Sequence, residues 1–174
     1  ISVCLVGSEM CIRDRCSMVK LFYLVLITIM SISTDVLSDN DIGYKYYQKG
    51  NYEKALKIWT VEAEEGNKEA IYNIGLLYFF GNGVEKNLPL AFEYCQKSAF
   101  MGSPRAQNNL AFMYNKGLGV EKSYIDSYVW ASVAIKHGYN SQLIRDDARI
   151  QLTPAMLRDA RKLFTDIIKD INNE

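Results

Sequence analysis

The chain has 174 residues, enough for a single domain with a sizeable apolar core. Its 20 basic and 20 acidic residues give a formal net charge of zero. This balance argues against a nucleic acid or an anionic membrane as a partner that is held by bulk charge.

Residues 1–17 are excluded from the fold prediction. They begin at Ile1 rather than at a methionine, and residues 3–15 resemble the in-frame translation of a transposase-type sequencing-library adapter. We interpret the segment as a non-native adapter translation, with a genuine N-terminal extension as the alternative. Without it, Cys95 is the single cysteine of the chain.

Residues 18–38 have the organisation of a secretory signal peptide. A short basic start at residues 18–20 precedes residues 21–30, which are apolar apart from one threonine. That run is too short to span a bilayer, which takes about 20 residues. Small residues then suit cleavage after Ser33 or Ser38. We expect a periplasmic or secreted protein with no stable membrane span after cleavage; a retained N-terminal anchor and a eukaryotic secretory pathway are the alternatives.

Residues 39–69 are predicted to form a first pair of helices. The pattern Ile42-Gly43-x-x-Tyr46-Tyr47-x-x-Gly50-x-Tyr52-x-x-Ala55 resembles a tetratricopeptide unit. The second helix of this unit aligns with the later units, since Ala55 and Ala63 lie 36 residues before Ala91 and Ala99. Divergence of a terminal unit is expected, because one of its sides faces solvent.

A 36-residue unit then occurs twice, at residues 70–105 and 106–141. In each copy, apolar residues at helical spacing predict a first helix that ends at Gly81 or Gly117. A second helix is predicted to follow an N-cap at Asn87 or Ser123 and to end near a further glycine. A fixed period of this size indicates a solenoid, in which each unit buries its apolar face against its neighbours.

The repeated pattern A-x-x-x-[IL]-[GA]-x-x-Y-x-x-G-x-G-V, followed by an aromatic-rich helix that ends in glycine, resembles the Sel-one-like repeat (SLR) family. The second copy departs from the family pattern at Ala111 and Ser127, where glycine and alanine are usual, but both residues are small. The resemblance implies an all-α fold, a right-handed superhelical solenoid of antiparallel helix pairs. It also implies a scaffold for other proteins.

Residues 142–174 are predicted to close the solenoid as capping helices. Asn140 or Ser141 is a candidate N-cap for a helix through about Ile150, and Thr153-Pro154 begins the last helix. That helix carries a stripe at helical spacing, interrupted by one arginine, and formed by Leu157, Ala160, Arg161, Phe164, Ile167, Ile168 and Ile171.

Residue types that carry catalysis are scarce. His137 is the single histidine, so it lacks the partners that a metal site needs. Cys95 is expected to be a small buried hydrophobe, since no base or basic setting accompanies it. The sequence predicts a protein that is not an enzyme and has no cofactor or metal. The alternative is a periplasmic hydrolase or a penicillin-binding or β-lactamase-like activity, by analogy with cysteine-rich relatives of the family. Their helix pairs are bridged by disulfides, which residues 18–174, with Cys95 as their single cysteine, cannot form internally.

The predicted binding surface is the inner side of the first helix of each unit, which lines the concave side in tetratricopeptide-like stacks. Aligning the units on Ile42, Ile74 and Leu110 gives an aromatic middle row flanked by amide and basic groups, a composition that suits a partner protein or peptide. The alternative is that Leu76, Phe79 and Phe80 pack between units. The predicted partner-binding residues are Tyr44, Tyr47, Gln48, Tyr72, Leu76, Phe79, Phe80, Asn108, Phe112, Asn115 and Lys116.

Overall fold

The computed structural model describes residues 40–173. The predicted adapter translation and the predicted signal peptide therefore lie outside the described residues. Throughout the described range the chain forms helices joined by short turns, without a strand. This confirms the predicted all-α fold. None of the helices in this range combines the length and the apolar character that crossing a membrane requires.

Eight helices follow one another between residues 40 and 173. Their bounds are α1 Asn40–Gln48, α2 Tyr52–Glu64, α3 Lys68–Phe80, α4 Leu88–Phe100, α5 Pro104–Lys116, α6 Tyr124–Lys136, α7 Gln142–Arg149 and α8 Pro154–Asn173. The helices α2 to α6 each have 13 residues. Helices α2, α4 and α6 begin at residues 52, 88 and 124, and α3 and α5 begin at residues 68 and 104. The backbone therefore repeats with the 36-residue period of the sequence.

Polar side chains cap most of these helices as the sequence predicts. The side chain of Asn87 accepts a hydrogen bond from a backbone N–H of α4 over 3.0 Å, and Ser123 Oγ accepts one in α6 over 3.2 Å. Thr153 Oγ1 caps α8 over 3.3 Å. Ser141 precedes α7, but its buried hydroxyl makes no cap bond. Its backbone has ψ near 21°, whereas Asn87 and Ser123 have the extended backbone that turns a cap side chain toward the helix.

Two apolar clusters hold the described helices together. The N-terminal cluster lies where α2 packs on α3, and its buried residues are Ala55, Trp59, Ala70, Ile74 and Leu77. The C-terminal cluster is larger and joins α3 to α6 with α8 around buried residues such as Leu110, Met113, Val129 and Trp130. Each helix from α1 to α6 packs against its successor along the chain, and α3 also contacts α5. This is the nearest-neighbour packing of a solenoid.

The loops between first and second helices pack tightly against the preceding unit. Gly83 and Gly119 stand at equivalent positions in the two loops, with φ of 71° and 73°. A Cβ atom on Gly119 would collide with the backbone carbonyl of Leu88, and one on Gly83 would lie 2.5 Å from Tyr52 Cβ. Both neighbours stand at the start of the second helix of the preceding unit. Glycine is therefore required here by the backbone conformation and by the close approach of two units.

The last helix folds back over the second helices of the two preceding units. Helix α8 contacts α6 and α4, and it buries Ala160, Ile167 and Ile168. Arg161, the polar member of the predicted stripe, is exposed. Helix α8 thus adds to the C-terminal cluster and covers part of the surface that α4 and α6 share.

Candidate protein-binding surface

The first helices α1, α3 and α5 carry the predicted binding residues. We call the side of these helices that bears Tyr44, Gln48, Leu76, Phe79, Phe80, Asn108, Phe112 and Lys116 the A-helix face. Hydrogen bonds between units hold these helices in register. Asn82 Nδ2 donates to the Tyr47 hydroxyl over 3.1 Å, and Asn109 Nδ2 donates to the Tyr72 hydroxyl over 2.8 Å. The A-helix face is therefore presented by rigid elements rather than by loops.

Two phenylalanine rings project from the A-helix face into solvent. Phe80 at the end of α3 is 57% exposed, and Phe112 on α5 is 37% exposed. Phe79 packs edge to face against Phe80, with ring centroids 5.0 Å apart. Leu76 and Phe79 are half-buried against the C-terminal cluster. Packing between units therefore covers part of the Leu76 and Phe79 side chains, while Phe80 remains accessible.

The first helix contributes a second, smaller aromatic surface. Tyr44 is exposed and stacks on Tyr47, with ring centroids 6.2 Å apart. Tyr47 is half-buried and lies 5.2 Å from the Tyr52 ring and 5.8 Å from the Trp59 ring. Tyr47 therefore supports the surface, and Tyr44 and the exposed Gln48 are the accessible members of this row.

Two of the predicted residues are buried. Tyr72 is covered from α5, where the Arg105 guanidinium lies 5.6 Å from its ring centroid, and burial raises the pKa of the Tyr72 hydroxyl. Asn115 Nδ2 donates to Asp147 Oδ2 over 3.0 Å and so ties α5 to α7. The burial of Tyr72 and Asn115 removes them from the surface that a partner could contact.

The predicted residues on α5 form the third row of the A-helix face, after those on α1 and α3. Its accessible members are polar or basic apart from Phe112. Asn108 is half-buried, and Lys116 is exposed with its Nζ 3.8 Å from Asp147 Oδ2. Arg105 is exposed as well, one helical turn before Asn108, and the sequence interpretation missed it. Extending the third row by one turn would have included Arg105, because residues three or four apart share a helix face.

The A-helix face is shallow where α3 meets α5. The depression between α3 and α5 has a volume of about 10 Å³ and is lined by residues that include Leu76, Phe79 and Met113. That volume is close to the minimum for one water molecule and far below the several hundred Å³ of small-molecule sites. The shape suits contact with another protein surface.

The two candidate reactive side chains are held in structural contacts. Cys95 is buried with its Sγ 3.2 Å from the Ala106 carbonyl oxygen, and burial raises the pKa of its thiol to about 12. His137 Nδ1 lies 2.9 Å from Gln107 Oε1, and burial, with Lys136 and Lys68, lowers the pKa of the imidazole. Over the described part of the chain, no group of three or more His, Cys, Asp or Glu side chains is placed to hold a metal ion. These contacts join α4 and the end of α6 to α5.

Curated relatives are similar to this chain over short stretches. The chain is 36% identical over 63 residues to DAP3-binding cell death enhancer 1 of Rattus norvegicus, which covers 36% of this chain and 12% of that protein. It is 33% identical over 72 residues to the ERAD-associated E3 ubiquitin-protein ligase component HRD3A of Arabidopsis thaliana, which covers 41% of this chain and 11% of that protein. The chain spans about a tenth of the length of these relatives.

A solved structure shares the fold over most of the chain. It is the crystal structure of c5321, a protective antigen present in uropathogenic Escherichia coli strains that displays an SLR fold. The match has a TM-score of 0.73 and 27% sequence identity, and it covers 81% of this chain and 31% of that chain. The family model of the Sel1 repeat matches residues 32–52, 68–103 and 104–139, which together make up more than half of the chain. The chain therefore belongs to the Sel1 repeat family, and its fold is the helical solenoid of that family.

Proposed function

We propose that the chain is an exported interaction module that binds a partner protein or peptide through the A-helix face. The observation that carries the proposal is the exposure of Phe80 and Phe112 on successive first helices of a rigid scaffold. Burying such rings against a partner is favourable, and aromatic anchors within a polar rim are typical of protein interfaces. Exposing apolar rings to water is unfavourable, and a partner that covers Phe80 and Phe112 would explain why they lie on the surface.

The groups around these rings indicate the character of the partner surface. Arg105 and Lys116 are exposed on α5, and Gln48 is exposed on α1. Lys116 has only a long contact of 3.8 Å to Asp147, and exposed ion pairs of this kind are weak. An apolar segment flanked by acidic residues therefore complements the A-helix face on α3 and α5.

The names of the relatives support a protein as the partner class. One relative is described as DAP3-binding, and another as a component of an E3 ubiquitin-protein ligase. Both names describe a protein that associates with other proteins. Because the chain spans about a tenth of these relatives, the proposal takes from them the class of partner and not its identity.

Export rests on the sequence of residues 18–38 and has its own test. Expression in a bacterium from Met18, without residues 1–17, followed by N-terminal sequencing of the protein recovered from the periplasm, is expected to give a mature start after Ser33 or Ser38. A protein retained in the cytoplasm with residues 21–30 intact contradicts export and leaves the binding proposal standing.

Affinity capture followed by titration tests the binding surface. The full chain is compared with a Phe80→Ala/Phe112→Ala variant and with a control, Leu143→Ala/Ile150→Ala, which truncates two exposed apolar side chains on or next to α7. Circular dichroism first establishes that all three proteins are equally helical. The captured protein is identified by mass spectrometry and titrated against each chain.

We expect the control to bind like the unmodified chain, and the loss of both rings to weaken binding more than about tenfold, since anchor residues contribute more than about 1 kcal/mol each. Equal affinity of the Phe80→Ala/Phe112→Ala variant would place the interface elsewhere and contradict the proposal.

A further inference from the structure

The N-terminal end of the described solenoid presents an apolar surface, which we call the end face. It consists of Ile42 on α1, of Ile58 and Val61 on the outer side of α2, and of Glu65, the C-cap residue that follows α2. With Lys57 and Glu62 these residues line a shallow hollow of about 390 Å³. Ile42 is 46% exposed and Val61 is 57% exposed. The end face is distinct from the A-helix face, because no residue of one belongs to the other.

The repeat itself shows what kind of element such a face receives. Ile42 corresponds to Ile74 in the next unit, which is 3% exposed because it belongs to the cluster where α2 packs on α3. The outer residues Ile58 and Val61 correspond to Tyr94 and Lys97, which line the groove between α2 and α4. The second helix of the preceding unit thus lies on the equivalent face of the next unit. The end face therefore has the shape that accepts a helix, and no helix of residues 40–173 covers it.

The charges along α2 make this face complementary to a second copy of itself. Lys54, Ile58, Val61 and Glu65 follow one another at spacings of four, three and four residues, which places them on one stripe of the helix. The two apolar residues occupy the middle, with a cation at one end and a carboxylate at the other. When two copies of the stripe lie antiparallel, each Ile58 meets the Val61 of the other copy and each Lys54 meets the Glu65 of the other copy. A two-fold interface requires this self-complementarity.

We propose that the end face is a homodimer interface, in which α2 of two copies packs antiparallel about a two-fold axis between Ile58 and Val61. Ile42 adds apolar surface beside this axis. Lys54 is exposed, with its Nζ 5.3 Å from the Tyr46 ring centroid, so it stands at the edge of the end face with access to a carboxylate of the second copy. The apolar residues supply affinity, and the charge pairs at both ends specify the antiparallel orientation. The A-helix faces of both copies stay accessible, so a dimer offers a partner two equivalent sites.

Light scattering coupled to gel filtration tests the proposal on the full chain in reducing buffer, over a concentration series. We expect the mass to rise from that of one chain to that of two. Val61→Asp places two carboxylates at the axis and is expected to raise the dimer dissociation constant more than about tenfold, because a buried unpaired charge is costly. Val61 is exposed in the single chain, so the fold should tolerate the change, which circular dichroism checks. Leu143→Asp, at a residue that is 87% exposed on α7, is the matched control and should leave the mass unchanged.

A charge exchange tests the orientation independently. Lys54→Glu and Glu65→Lys should each weaken the dimer, because like charges then meet at both ends. The double variant Lys54→Glu/Glu65→Lys should restore it, since the pairs are re-formed with reversed sign. A chain that stays monomeric at every concentration overturns the proposal, as does a dimer that survives Val61→Asp. Failure of the double variant to recover what the single variants lose overturns the antiparallel arrangement.

Discussion

The two interfaces between successive units share a backbone arrangement but differ in what fills them. The first interface joins α1 and α2 to α3 and α4, and the second joins α3 and α4 to α5 and α6. In the second, Phe100 and Trp130 meet edge to face with ring centroids 5.0 Å apart. The positions 36 residues earlier in the first interface hold Glu64 and Tyr94, and a groove of about 350 Å³ stays open beside them.

Another pair of equivalent positions also has the larger side chain in the second interface. Leu56 in the first interface corresponds to Phe92 in the second, where the Phe92 ring packs edge to face on Tyr114 at 5.3 Å. Helix α8 packs on α6 and reaches α4, and so adds apolar cover to the second interface. The comparison teaches that a repeat places the helices, while individual side chains decide how completely each joint is filled. We infer that most of the stability of the described chain resides in the second interface.

The largest expected effect comes from emptying the second interface. Trp130→Ala should lower the free energy of unfolding by about 3–5 kcal/mol, because the ring is fully packed and leaves a large cavity. Tyr94→Ala, at the equivalent position of the first interface, should cost less than half as much, since Tyr94 is half-buried beside an open groove. Urea unfolding of both variants measures the difference. Equal losses would remove the distinction between the interfaces.

Gly119→Ala should have the next largest effect and lower the free energy of unfolding by about 2–3 kcal/mol. The substitution combines an unfavourable positive φ with a collision against the Leu88 carbonyl, which belongs to the backbone and cannot move aside. Gly138→Ala is the matched control, because Gly138 also has positive φ, at 85°, but has no atom within 4 Å of an added Cβ. Thermal unfolding compares the two. If Gly138→Ala were as destabilised as Gly119→Ala, the close contact between the loop and Leu88 would contribute nothing to stability.

Filling the open groove should reduce the difference in stability between the two interfaces. Glu64→Phe introduces the residue that the second interface has at the equivalent position, and we expect a gain of about 0.5–2 kcal/mol. Glu64→Ala removes the carboxylate without filling the groove and serves as the reference. Denaturant midpoints of the two variants decide the outcome. A phenylalanine variant no more stable than the alanine variant would show that the groove does not accept a ring.

The smallest expected effect is a pH dependence that arises in the unit of α5 and α6. His137 Nδ1 lies 2.9 Å from Gln107 Oε1 within this unit, whereas the unit of α3 and α4 has Met101 and Ile71 at these positions. Burial lowers the pKa of His137 below its ordinary value of 6.5, so the unfolded chain takes up the proton more readily than the folded chain. The contribution of neutral His137 to the free energy of unfolding is therefore fully present above pH 6.5. It decreases as the pH falls below that value.

Melting temperatures between pH 7.5 and 5.5 measure this slope, with His137→Gln as the variant that removes the titrating group. The unmodified chain should lose slightly more stability on acidification than His137→Gln. The opposite order would contradict a lowered pKa.

Much of this fold was predictable because its determinants are local and occur twice. The ends of α3 and α5 at Gly81 and Gly117, and the caps at Asn87 and Ser123, depend on residues within a few positions of one another. Such signals survive in a single sequence, and the 36-residue period adds the order of the helices.

The depth of each side chain on the A-helix face was not predictable in the same way. Tyr72 and Phe80 both lie on α3 and both are aromatic, yet only Tyr72 is covered, because Arg105 and Asn109 reach it from α5. Asn115 is covered by Asp147, which belongs to α7 and has no counterpart in the repeats. Burial on a stacked surface depends on the neighbouring unit, and at the C-terminal end the neighbour no longer repeats.

Native-state hydrogen exchange, resolved helix by helix under increasing denaturant, tests the unequal interfaces most directly. Helices α2 and α6 have equal length and equivalent positions in their units, so their backbone amides form a matched pair. We predict that the amides of α2 exchange through openings of lower free energy than those of α6, because fewer apolar contacts hold α2 in place. Equal protection of the two helices, or earlier exchange of α6, would contradict the claim that the second interface holds most of the stability.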